Sequence, residues 1–233
     1  DLDLTLTTGA LTAGTVTLTS NAGEVDIDND PNNTAGGITF GPSAGITLGA
    51  DLTANGPIDA SVVTNGITLD AASTIDSTNA DITLGAAIDG GQDLILDAGA
   101  AGVISLQAVT DSTSVTVTDA AGLVLNGNIL STVGAVDLDA ADSTTLTDDV
   151  EITGVGVALG AVSGPHTLTL DGTAGAVAVD SGDIGSLSVS NATTVDFDEP
   201  FSTTGSVTVS AAITDTVTVG AVLAAGGDLN LTS

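Results

Sequence analysis

Runs in which apolar and polar residues strictly alternate return along this chain at a nearly fixed spacing. That spacing limits the folds open to it more than any single motif does. Examples are Leu2-Asp3-Leu4-Thr5-Leu6, Val115-Thr116-Val117, Val136-Asp137-Leu138, Leu168-Thr169-Leu170 and Val217-Thr218-Val219. Alternation over a short run describes a strand with one buried face. The runs are separated by Gly, Asn, Asp and Ser, as in NG at 55–56, 65–66 and 126–127 and DG at 89–90 and 171–172. These residues accept the positive φ that tight turns need. No sustained helical period interrupts the pattern, and the abundant Thr and Val suit strands.

Two series order the runs. The first starts at Leu4, Val25, Ile46, Ile67, Leu94, Val115, Val136, Val157, Val177, Val195 and Val217. Its steps are 21, 21, 21, 27, 21, 21, 21, 20, 18 and 22 residues. The second starts at Val16, Ile38, Ile58, Ile82, Ile104, Leu123, Leu146, Leu168, Leu187, Val207 and Leu229, with steps of 19 to 24. Two strands per period of 20 to 21 residues is the signature of a solenoid, in which each turn buries its apolar side chains against the turns above and below. The expected fold is all-β: a single-stranded right-handed parallel β-helix (β-solenoid) of about eleven turns, the hand following from the general rule for parallel crossovers. A third, weaker strand per turn is expected near Ile129 and Ile184. Residues 1–233 read as one continuous segment, with an enlarged turn near 71–80 to account for the 27-residue step. A hairpin-built sandwich would let the spacing drift, whereas here it returns to 21.

Composition agrees with a packed core and narrows its content. There are 30 acidic residues, no lysine and no arginine, a formal charge of −30. Such a charge signals disorder only when hydrophobicity is low, and here 42% of residues are apolar. Phe40, Phe197 and Phe201 are the only aromatic residues, so the tube is filled mainly by Val, Ile, Leu and Ala. Without cysteine there is neither a disulfide nor a thiolate metal site. No stretch approaches the roughly 18 uninterrupted apolar residues of a membrane helix, so direct membrane insertion is not expected. With no cation to neutralise phosphate, nucleic acid is not a direct partner. The chain opens on DLDLTLT and closes on DLNLTS, both inside the pattern, and reads as a segment of a longer array.

The stretches ADITLGAAIDGGQDLILDAGAAGVISL (80–106), LTLDGTAGAVAVDSGDIGSLSVS (168–190) and GGDLNLTS (226–233) resemble the repeats of large secreted bacterial exoproteins of the filamentous-haemagglutinin type. The resemblance lies in the style of repeat and covers most of the chain. It implies a right-handed β-helix, an extracellular or cell-surface location, and a role in adhesion, matrix or contact between cells.

Candidate chemistry is sparse. Glu24-Val25-Asp26-Ile27-Asp28-Asn29-Asp30 is the densest acidic run. Asp26, Asp28 and Asp30 supply hard oxygens at alternate positions, as the start of a calcium loop does. Pro31 stands where such a loop needs glycine, so the competing reading is a strand with outward carboxylates. Other outward acids are Asp137 with Asp139, Asp196 with Asp198 and Glu199, and Asp148 and Asp149 ahead of Glu151. His166 is the only histidine, and one imidazole among abundant Ser and Asp does not specify a triad. Outward threonines, as in Thr15-x-Thr17-x-Thr19, suggest an ice-binding face. The expected outward column Thr116, Asp137, Ala158, Ala178, Asp196, Thr218 breaks it.

The expected function is therefore a structural rod or fibre segment of a secreted or surface protein, with no catalytic residue and no required cofactor. It would assemble end to end or within a longer chain, and meet a host-cell, cell-surface or matrix receptor. The alternatives are a calcium-dependent or ice-binding solenoid and, further off, a polysaccharide-cleaving enzyme built on paired aspartates.

Overall fold

The computed structural model describes residues 4–6, 10–12, 14–34, 36–210 and 216–232. Among them there are strands and turns and no helix. All strand pairs are parallel, and each joins one turn to the next, giving a β-solenoid. Each turn carries three strands, so the tube has three faces.

The first face begins at Leu4 and pairs it in turn with Val25, Ile46, Ile67, Ile88, Val109 and Ile129. It continues through Ile152, Leu170, Val189, Val209 and Leu231, eleven steps in all. At the strand spacing of ~4.8 Å this makes a rod roughly 50 Å long. The second face takes Ser73 to Leu94, Val115, Val136, Val157, Val177, Val195 and Val217. The third takes Val16 to Ile38, Ile58, Ile82, Ile104 and Leu123. It then runs through Thr144, Val162, Gly182, Phe201 and Leu223.

This three-sided register corrects two expectations. The 27-residue step is a change of face: Ile67 belongs to the first ladder, whose next member is Ile88, and Leu94 belongs to the second. Residues 71–80 hold no looped-out insertion. They carry the strand Ser73–Ser77, which pairs on both sides. The enlargement there amounts to two or three residues, since Leu52 pairs with Ile75 and Ile58 with Ile82, 23 and 24 apart. The second series likewise crosses from the third face at Leu146 to the first at Leu168. Both Ile129 and Ile184 lie on strands, as expected, and at 1% exposure neither is weaker than its neighbours.

Alternation explains the core. Every second side chain points inward, and Val25, Ile58, Leu96, Ile104, Val136, Leu170 and Val195 are wholly buried. The rings of Phe197 and Phe201 meet with centroids 5.4 Å apart and tilted by 54°. Phe201 pairs with Gly182, where a β-carbon would overlap its ring. A large side chain is thus matched to an absent one in the next turn.

Some inward positions are polar, and these hold the corners. Ser77 Oγ donates towards Gly56 O at 3.0 Å and Ala80 O at 2.9 Å. Ser131 Oγ reaches Thr113 O at 2.6 Å and Gly134 O at 2.9 Å. Asn33, with no exposed surface, donates through Nδ2 to Gly37 O at 2.8 Å. Corner carbonyls leave the ladders, and these side chains satisfy them in place of water.

Candidate functional site

Outward side chains form columns along the rod, one residue per turn. The column Thr116, Asp137, Ala158, Ala178, Asp196, Thr218 occurs in that register on the second face. It is interrupted by two alanines and two aspartates, as the sequence suggested. On the first face, the column Thr5, Asp26, Thr47, Thr68 and Asp89 is interrupted by two aspartates.

The second face also carries the perturbed acids. Asp76 is held above the ordinary aspartate value by burial and then by Asp97, with which it is paired. Asp137 is raised by burial first and then by Asp139, and its Oδ1 is enclosed without a donor. Asp180 is raised by burial, then by Asp198, Asp139 and Glu199. A raised folded value means the folded state holds its proton more tightly than the unfolded chain does. These groups therefore cost stability at neutral pH, and the cost disappears as pH falls through the raised values towards the ordinary 3.8. Self-repulsion of a chain at −30 acts in the same direction. Calorimetry should find a higher melting temperature at pH 4.5 than at pH 7.5, and a rise with added salt at pH 7.5. A midpoint that falls steadily on acidification would contradict this.

Asp26, Asp28 and Asp30 lie on and beyond the strand Glu24–Ile27. Asp26 is half-buried and accepts from Thr5 Oγ1 at 3.5 Å, whereas Asp28 and Asp30 are exposed. Asp30 Oδ1 accepts from the Asp51 amide at 3.1 Å in the next turn. Among the described residues no three acidic, histidine or cysteine side chains converge as ligands for one ion.

A concavity lies elsewhere, on the first face in the middle of the rod. There the ladder steps 20 residues from Val109 to Ile129, 23 to Ile152 and then 18 to Leu170. The corner from Leu125 to Ile129 is two residues shorter than the one from Leu146 to Ile152 in the turn above. A groove of about 580 Å³ opens where these unequal corners lie side by side. Ala108, Gly127, Ile129 and Leu130 form its floor, and Asp148, Asp149 and Glu151 its wall. A second hollow of about 280 Å³ shares Asn128, Asp149 and Glu151 and extends to Thr167 and Thr169.

The wall is fixed by the backbone. The Asp149 amide donates to Asp148 Oδ1 at 2.8 Å, and the Glu151 amide to Asn128 Oδ1 at 2.8 Å. The Thr167 amide donates to Asp149 Oδ1 at 2.7 Å. His166 Nδ1 lies 3.9 Å from the same oxygen. The lone histidine thus stands at the end of this groove, without the serine that a triad would require among its described contacts. The acidic triplet is plain in the sequence. Asn128 and the groove itself are not, because they arise from unequal corner lengths in adjacent turns. No family model, curated protein or solved structure matches the chain.

Proposed function

We propose that this chain is a stiff structural segment of a secreted or cell-surface protein, serving adhesion, matrix or filament building. The observation that carries the reading is the unbroken parallel ladder. Three faces run through the rod around one apolar core, so each turn serves mainly to extend it. The repeat style shared with filamentous-haemagglutinin-type exoproteins supports the location.

Small-angle scattering across a concentration series tests the rod, and antibody labelling of intact source cells tests its location. The expected result is a constant cross-section, with a length near ~50 Å or lengthening with concentration, and label at the surface or in the medium. A globular profile, or label only after permeabilisation, would overturn the reading.

A further inference from the structure

We propose that the groove on the first face is a docking site for an extended cationic peptide segment from outside this sequence. Four observations lead there. The groove combines an apolar floor, including Leu130 at 37% exposure, with three exposed carboxylates along one side. Lysine and arginine need that combination, because their methylene stems lie on apolar surface while the charged head reaches a carboxylate.

The groove follows the rod axis. Its lining passes from Thr110 to Asn128, to Asp149 and Glu151, and then to Thr167 and Thr169, one turn at a time. Three turn spacings make about 15 Å, the span of four or five residues of extended chain. Thr110, Thr153, Thr167, Thr169 and Asn128 line it at intervals as hydrogen-bonding side chains for such a segment.

The carboxylates are also held open. Asp148 and Asp149 accept from backbone amides that fix their corner, and only His166 approaches them from the protein's own cationic side chains. Finally, the occupant is not a second copy of these 233 residues. With no lysine or arginine anywhere in the sequence, the complementary charge must come from outside. Electrostatic complementarity of this kind sets encounter and specificity. The proposal does not depend on whether the rod forms fibres.

Fluorescence anisotropy of a labelled six-residue peptide of alternating lysine and alanine tests it. Because the whole chain is acidic, the controls must separate the groove from diffuse attraction. The variant Asp148→Asn/Asp149→Asn/Glu151→Gln removes the wall. The variant Asp198→Asn/Glu199→Gln/Asp228→Asn removes the same charge from exposed positions outside it. Leu130→Ser alters the floor at constant charge. The groove variant is expected to weaken binding about tenfold, the distant variant by no more than about twofold, and Leu130→Ser about threefold. Equal weakening by the two charge variants, or no change with Leu130→Ser, would overturn the proposal. All three sets of positions are exposed, and melting midpoints no lower than that of the unmodified chain establish that the variants fold.

Discussion

Replacing Leu96 with aspartate is expected to lower the melting temperature by about 15 °C or more. Leu96 is wholly buried in the second face, paired with Ile75 below and Val117 above. Truncation of such a leucine alone costs about 2–5 kcal/mol, and enclosing a carboxyl with no partner adds to this, for a total above about 5 kcal/mol. In a chain of this size each kcal/mol moves the midpoint by about 2–4 °C. Turns contact chiefly their neighbours, so the damage should divide the rod, and the turns on either side should melt in separate transitions. Ile95→Asp is the control. Ile95 is the next residue, points outward between Thr74 and Thr116, and should change stability by no more than about 1 kcal/mol. Similar losses at 95 and 96, followed by calorimetry and circular dichroism, would refute the inward–outward assignment.

The second large effect is expected at Phe197. Its ring is wholly buried, pairs through its strand with Val179 and Val219, and leans on Phe201. Phe197→Ala should cost about 3–5 kcal/mol, because a tube filled by small side chains has little that can collapse into the space. The melting midpoint should fall by about 10–15 °C. A double-mutant cycle of Phe197→Leu and Phe201→Leu should leave a coupling of about 0.5–1.5 kcal/mol, the value of a tilted ring pair beyond its burial. Zero coupling would mean the rings act only as separate fillers.

The solenoid was legible because two independent periods coincide in the sequence: two residues along a strand and about 21 between turns. Its triangular section was less legible. Each series followed the strongest apolar run, and each crossed to another face where a stronger run stood one strand further on, at Leu94 and at Leu168. The two crossings made one regular tube look like two ladders with one much enlarged turn. Inward Ser77, Ser131 and Asn33 were invisible for a different reason: a polar letter in an alternating pattern reads as outward, and only the corner carbonyls explain why these turn in. The acidic triplet at 148–151 could be seen, yet its groove could not. A concavity depends on the difference between neighbouring corners, and no single stretch of sequence contains that difference.

Parallel stacking has a mechanical consequence. Each turn is held to the next by hydrogen bonds that lie along the rod axis, so tension applied between the two ends loads an end turn first. Force would unwind the coil one loop at a time. Each loop of 21 residues would release about 65–70 Å of extended chain in exchange for the ~4.8 Å it occupied. A tether built this way is short and stiff at rest and lengthens more than tenfold under load. It would absorb a pull in increments where a compact domain under the same load would open all at once.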